Sequence, residues 1–417
     1  MTDGELQETV EVEDVERAME RLDDPDVVRH TPTEPSTSFA RMTGAESVVL
    51  KLEHLQWTGS FKTRGAYNKI KRAHDEEGVD EVVAASAGNH AQGVALAATT
   101  LGVDATIVMP RTAPQAKVEA TRGYGATVEL VGQDFQEVMG HATELAEDEG
   151  MTLVHAFDDP DVVAGQGTLG VEMYEDLPSV DTVVVPIGGG GLIGGVATVF
   201  AELSPETRIV GVQAADAATV PDSLDKGVPQ TLDEVDTIAD GIATGGISDL
   251  TFGLIRDHVD EVVTVGDDEI ARSVLLLLER AKQVVEGAGA ATVAAILGDA
   301  VDVTDETVMP VLSGGNLDMT MLQTTLVHAL TARRQLLHLE VLIDDVPGRM
   351  AEISGVIAEH GANIRTVRHD RAVEDLDVGE AYLVFEIETS GATHARRIVT
   401  SIADRGYNVT RVNRERL

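Results

Sequence analysis

The chain of 417 residues contains no cysteine, which excludes disulfide bonds and cysteine-ligated zinc. Lysine is nearly absent, with only seven in the chain, and aromatic residues make up 3%. No apolar run approaches the roughly twenty residues that span a bilayer, so no membrane helix is expected. The first residues, MTDGELQETVEVEDVERAMERL, have neither a basic start nor an apolar stretch. No secretory signal is therefore expected, and the cytoplasm is the expected compartment. Positive charge is scarce as well: 31 Lys and Arg face 72 Asp and Glu, for a net charge of −41. Such a surface repels phosphates and disfavours nucleic-acid binding.

What is present is a strongly patterned chain. Hydrophobic residues make up 43%, and apolar periodicity runs throughout, so the charge does not signal disorder. A carpet of carboxylates with little lysine resembles the proteins of extreme halophiles. Molar salt shortens the Debye length to about 3 Å and screens like-charge repulsion, so stability is expected to fall in dilute buffer. The length suggests two to three domains.

Between about residues 46 and 315, short apolar runs alternate with segments of helical length. SVVLKLEH, EVVAASAG, ATIVMP, ATVELVG, TLVHAF, TVVVPIGGGG, RIVGVQ, EVVTVG and TVMPVLSGGN read as buried strands. AQGVALAATTLG and DEIARSVLLLLERAKQVV read as helices. The alternation predicts α/β architecture with mostly parallel sheets, whose ligands bind at the carboxyl ends of strands. From Leu337 the pattern becomes strand, helix, strand, strand, helix, strand, a compact ferredoxin-like βαββαβ unit. Its first helix should present Met350, Ile353, Val356 and Ile357 on one face. A helical segment near 316–335 connects the two parts.

Four strand or helix ends stand out. SFKTRGA carries Lys62 where a helix is expected to start. SAGNH, residues 86–90, turns from a strand into a helix of small residues, whose open N–H groups suit a carboxylate; a plain capped turn is the alternative. TVVVPIGGGGLIGG empties a strand into Gly188, Gly189, Gly190 and Gly191. It satisfies G-x-G-x-x-G through Gly189, Gly191 and Gly194, but the next strand ends in Gln213 rather than an acidic ribose ligand, and no Gly-Lys-Ser/Thr follows. A phosphate site without a dinucleotide is the better inference. SGGN places Ser313, Gly314, Gly315 and Asn316 at another strand end. Glu286, before a small-residue helix, reads first as a cap for that helix. The twelve histidines are scattered, with no H-E-x-x-H, and no G-x-S-x-G elbow is present. A lysine and a phosphate loop on different elements suggest a phosphorylated cofactor held through the lysine amine.

SFKTRGA, SAGNHAQG, GGGGL and SGGN, in that order and spacing, resemble the pyridoxal-phosphate enzymes of the tryptophan synthase β-subunit fold, fold type II. Within them the chain looks most like the threonine dehydratases (threonine ammonia-lyases). The C-terminal part, with DVPGR and GANI, resembles an ACT domain. The resemblance implies a pyridoxal 5'-phosphate-dependent catalytic domain over 1–335, with a small subdomain of roughly 50–155 inserted in the large one, and an ACT domain over 336–417. It implies that Lys62 anchors the cofactor covalently and acts as base, with Phe61 beside it. Asn89 would bond the cofactor's phenolic oxygen. The backbone of Gly188, Gly189, Gly190, Gly191 and Leu192 would hold the phosphate, and Ser313 would face the pyridine nitrogen. Ser86, Ala87, Gly88, Asn89 and His90 would hold the substrate carboxylate, with Gly241, Glu286 and Gly314 as neighbours of the ring. Asp345, Gly348, Arg349, Asn363 and Ile364 would line an effector site.

Two departures bear on the activity. The family's racemases carry a second serine where this chain has Ala87, which cannot transfer a proton. The family's divalent-metal site usually includes an acid where Gln213 stands, and Asp216 is out of register, so no metal is expected. The implied activity is β-elimination of L-threonine to 2-oxobutanoate and ammonia, regulated by an amino acid such as isoleucine or valine in a homo-oligomer, dimer or tetramer. Alternatives are an L-serine dehydratase, a serine racemase, or a non-catalytic amino-acid sensor built on the ACT domain. Threonine synthase and cysteine synthase share the fold but fit the ACT domain poorly.

Overall fold

The computed structural model describes residues 9–298, 300–373 and 376–411. The chain divides into two compact units, Met1–Asp318 and Met319–Leu417. Strands are numbered in chain order. The first unit contains β1 (Thr33–Pro35), β2 (Ser47–Lys51), β3 (Glu81–Ala85), β4 (Asp104–Met109), β5 (Thr127–Leu130), β6 (Thr152–Leu153), β7 (Thr182–Pro186), β8 (Arg208–Ala214), β9 (Glu261–Val265) and β10 (Thr307–Pro310).

These strands form two sheets. The larger runs β1-β2-β10-β7-β8-β9, parallel apart from β1, which pairs antiparallel with β2. The smaller runs β5-β4-β3-β6 and is all parallel. β7, TVVVP, is buried at every position because helices cover both faces of a parallel sheet. All nine expected strands of this unit form, although TLVHAF contributes only two residues to a ladder. The antiparallel edge strand β1 was not expected: TEP carries a proline and no apolar alternation, and it pairs only at the sheet edge, where proline is tolerated.

Helix packing brings the chain of Lys62 into place. Helix Lys62–Arg72 is crossed by helix Pro160–Asp176 so closely that a Cβ on Gly65 would lie 2.6 Å from the Val162 carbonyl oxygen. Helix Asn89–Leu101 crosses it on another side, where a Cβ on Gly93 would lie 3.0 Å from the carbonyl carbon of Lys62. The helix at Pro160 starts cleanly because Asp159 accepts from the N–H groups of Asp161 and Val162, with proline at the first helical position.

One helix differs from expectation. DEIARSVLLLLERAKQVV is α-helical only over Asp267–Leu276, passes into a π-helical turn over Leu277–Ala281, and stops at Lys282, whose φ is 61°. Residues 282–286 are then not helical, and this exit carries Glu286 to the site.

The second unit begins with helix Met319–Ala332 and continues through β11 (Leu336–Asp344), helix Arg349–Glu359, β12 (Asn363–Asp370), β13 (Glu380–Glu388), helix Ala392–Asp404 and β14 (Asn408–Arg411). The sheet order is β12-β13-β11-β14, all antiparallel, which is the βαββαβ arrangement expected. Leu337, Leu339, Val341 and Ile343 alternate into its core as their spacing requires. Ile353, Val356 and Ile357 bury the first helix, but Met350 is exposed, because it sits in the first turn beyond the edge of the apolar face. The last residues of the expected final strand, Val412 and Asn413, lie outside the described residues.

Candidate active site

Lys62 opens its helix directly after an unusual turn. Thr58 and Gly59 both take left-handed backbone, with φ of 61° and 76°. For a β-branched threonine this costs of order 1–3 kcal/mol, strain of a kind that persists where surrounding structure holds it. Thr58 Oγ1 and Thr63 Oγ1 are 3.0 Å apart, and Thr63 Oγ1 donates to the Trp57 carbonyl, which ties the turn to the helix. The chain then pairs with the segment after β10: Ser60 bridges Gly314, and the Phe61 N–H donates to the Ser313 carbonyl at 3.2 Å. Lys62, Phe61 and Ser313 therefore meet, although more than 250 residues separate the two segments.

Lys62 is half-buried, and its amine donates to the Ala156 carbonyl at 3.0 Å. Burial pushes its pKa down to about 8, so a substantial neutral fraction exists near neutral pH. His90 is buried beside it, and its Nε2 bonds the Val154 carbonyl at 2.8 Å. Burial first, and then the Lys62 charge, lower its pKa to about 3, so it stays neutral and contributes no competing charge.

The glycine loop leaves β7 and enters helix Gly191–Leu203. Gly190 has a φ of 88°, a conformation that favours glycine. A Cβ on Gly189 would lie 2.1 Å from the Phe157 ring, so that ring seats directly on the loop backbone. The first N–H groups of a thirteen-residue helix have no intrahelical acceptor, and the helix dipole reinforces them. The loop of Gly188 to Leu192 thus offers open N–H groups that could hold an anion.

SAGNH forms a second such helix start at the end of β3. The Gly88 N–H donates to Ser86 Oγ at 3.2 Å, and helix Asn89–Leu101 begins at once, again with its first N–H groups open. Asn89 Nδ2 donates to Glu286 Oε1 at 2.7 Å. Glu286 stands at the N-terminal boundary of helix Gly287–Leu297, but its side chain makes no cap bond. The capping expectation is thus corrected: the carboxyl turns into the site because Asn89 offers it a donor there. Its Oε1 fills the space in front of Gly314 and Gly241, where a Cβ would stand 2.2 Å and 3.1 Å away. Burial raises the Glu286 pKa to about 7, against the lowering by the Asn89 bond. Gly241, Glu286 and Gly314 therefore do cluster beside Asn89.

Three residues carry no assignment from the sequence, His155, Ala156 and Phe157, and Asn316 is marked there only as part of a strand end, with no role. The first three follow β6 at the carboxyl end of a strand, which is where such sheets place function, so that rule pointed to them. Gln213 is occupied structurally, accepting from the Thr219 and Val220 N–H groups at the start of helix Val220–Lys226.

The five expected effector residues do not come together within one chain. Asp345, Gly348 and Arg349 follow the end of β11, whereas Asn363 pairs with Glu388, which pairs with Leu336 at the start of β11. A nine-residue strand, about 26 Å at roughly 3.3 Å per residue, separates the two groups. Asp345 is paired with Arg371 and His369, Arg349 with Asp344, Asn363 with Glu388, and Ile364 packs on the core.

A half-buried lysine inclined to neutrality, a glycine-lined loop with open N–H groups and a half-buried amide–carboxyl pair fit pyridoxal phosphate, whose aldehyde, phosphate and ring each need one of them. The comparisons agree. Residues 25–314 match the model of the pyridoxal-phosphate dependent enzymes, and residues 338–398 match the ACT domain. The chain is 44% identical over 400 residues to an L-threonine ammonia-lyase of Thermotoga maritima, covering 96% of this chain and 99% of that protein. It also resembles the processed form of threonine deaminase isoform 2 from Solanum lycopersicum, with a TM-score of 0.71 and 37% identity over 76% of this chain and 94% of that one. Maize serine racemase gives a TM-score of 0.72 and 34% identity over 78% and 99%. The chain belongs to the pyridoxal-phosphate-dependent enzyme family, in its fold type II branch, and depends on that cofactor. Within that class it is a lyase-type chain carrying a C-terminal ACT domain.

Proposed function

We propose that this chain is a threonine ammonia-lyase, converting L-threonine to 2-oxobutanoate and ammonia by β-elimination. The observation that carries the reading is the half-buried Lys62 amine, its pKa lowered to about 8, in a domain with two helix starts of open N–H groups at strand ends. One, Gly188 to Leu192, takes the cofactor phosphate, and the other, Ser86 to His90, takes the substrate carboxylate. Pyridoxal phosphate supplies the electron sink that makes the Cα proton of a bound amino acid removable. Lys62 would anchor the cofactor, and its free amine would remove that proton as general base. Asn89 would donate to the phenolic oxygen of the ring, and Ser313 would face the ring nitrogen. A serine hydroxyl is too weak an acid to keep that nitrogen protonated, which disfavours a long-lived carbanion and suits rapid loss of the β-hydroxyl. Ala87 leaves the opposite face without a proton donor, so racemisation is disfavoured.

A second reading takes L-serine as main substrate and is favoured by the likeness to maize serine racemase. One methyl group separates the substrates, which an apolar pocket discriminates by only ~1–3 kcal/mol. Comparing kcat/KM for the two in high salt decides: a higher value for L-threonine is expected, and a clear preference for L-serine would overturn the choice. The ACT domain is read as the amino-acid sensor of a homo-oligomer. Because Asp345 and Asn363 lie at opposite ends of one sheet, an effector touching both groups would sit where two such domains meet. An effector acts only by binding two states unequally. A chain lacking the second unit should keep some activity and lose its response to isoleucine or valine; an unchanged response would refute the sensor role.

A further inference from the structure

Asn316, the last residue of SGGN, touches three parts of the site at once. Its Nδ2 donates to the Thr58 carbonyl at 2.5 Å and to Asn89 Oδ1 at 2.8 Å. Its backbone N–H favours the ionised form of Glu286, against the larger effect of burial. Its Oδ1 lies against Gly59, where an added Cβ would come within 2.5 Å of it.

These contacts set a direction. A backbone carbonyl can only accept, so Thr58 fixes the end of the Asn316 amide that faces it: the NH2. The second hydrogen of the same NH2 goes to Asn89. Facing a donor, Asn89 must offer its carbonyl oxygen, and its own NH2 is turned the other way, onto Glu286 at 2.7 Å. The two ends of an amide are almost equal in shape, so packing alone chooses poorly between them. Here one carbonyl that cannot be reversed dictates two amides in series. The same side chain also clamps the left-handed Thr58–Gly59 turn that leads into Lys62.

We propose that Asn316 is a positioning residue, which holds the Asn89 amide with its NH2 toward the cofactor ring and its oxygen away from it. The proposal rests on the reading of Asn89 as the donor to the ring's phenolic oxygen. A reversed Asn89 would aim an acceptor at that anionic oxygen, a repulsion in place of a hydrogen bond, and a second one at Glu286 whenever its carboxyl is ionised.

The test compares holoenzymes of the wild type, Asn89→Ala, Asn316→Asp, Asn316→Ser and the double variant Asn89→Ala/Asn316→Asp. Two quantities are read: the pH at which the visible band of the bound cofactor titrates, and the cofactor dissociation constant by equilibrium dialysis. Asn316→Asp keeps the size of the side chain and replaces its NH2 with an acceptor. It should move the titration upward by roughly one pH unit and weaken cofactor binding about tenfold, the scale of one lost charge-assisted hydrogen bond. Asn316→Ser should move both in the same direction by less, and it carries the comparison if Asn316→Asp yields no folded holoenzyme. In the Asn89→Ala background, Asn316→Asp should add no further movement of the band, because its effect runs through Asn89. A wild-type band and affinity in Asn316→Asp or Asn316→Ser would overturn the proposal, as would a movement that persists in full without Asn89. If Asn89→Ala itself leaves the band unmoved, the assignment of Asn89 falls first, and the role of Asn316 falls with it.

Discussion

At the scale of single residues, the site shifts two half-buried titratable groups by their surroundings. Burial lowers Lys62 to about 8 and raises Glu286 to about 7, so each is moved toward its neutral form. Glu286 has a stability consequence in the cofactor-free protein. Between its ordinary 4.5 and about 7, the folded chain keeps a proton that the unfolded chain has released. Stability must therefore fall as pH rises through that window, by no more than about 1.4 kcal/mol per pH unit for one proton. Glu286→Gln should flatten that slope in denaturant titrations across the window, and an unchanged slope would contradict the assignment. Lys62→Arg should abolish turnover and leave the fold intact, since a guanidinium stays protonated and is a poor nucleophile. Assays together with circular dichroism would check it. Lys62 and the glycine loop were legible because each breaks a local habit, a lysine in a lysine-poor chain and four consecutive glycines. The partner of Glu286 was not legible: nothing near residue 286 points to Asn89, 197 residues away.

At the scale of elements, strand periodicity and turn residues located all nine strands of the catalytic sheets, since a buried parallel strand needs a continuous apolar run. The end of helix Asp267–Leu276 escaped notice because its apolar pattern continues through the π-helical turn, while the backbone stops at Lys282. The two effector motifs lie at opposite ends of one sheet, a separation that the sequence does not display because strand pairing, not chain order, sets it. The elements around Lys62 are also joined by a buried ionic cluster. Arg64 donates to both oxygens of Glu53 and to Glu172, while Lys51 bonds Glu172 and Asp176. Burial pushes the Glu53 carboxyl upward, but the Arg64 charge and its hydrogen bonds outweigh it and hold the group below its ordinary value. Replacing one member strands the others. Arg64→Met should cost about 3–5 kcal/mol in denaturant unfolding, because it leaves buried carboxylates without their partner. A loss under about 1 kcal/mol would show that the cluster is solvated and unimportant.

At the scale of the whole molecule, charge and catalysis are independent designs. The charge of −41 is carried mainly by exposed carboxylates, whereas the site is half-buried and the core of the Arg64 cluster is buried. Raising salt from about 0.1 M to 1 M shortens the Debye length from about 10 Å to 3 Å, which screens the surface and barely touches the interior. The thermal midpoint should therefore rise with salt, and equal or greater stability in dilute buffer would contradict the halophile-like reading. The most direct test of the central claim is the release of 2-oxobutanoate from L-threonine by the intact holoenzyme in molar salt. The account predicts steady release with ammonia in equal amount by the wild type, and none by Lys62→Arg. No 2-oxobutanoate from the wild type, an inverted amino acid as the product, or turnover that survives Lys62→Arg would contradict it.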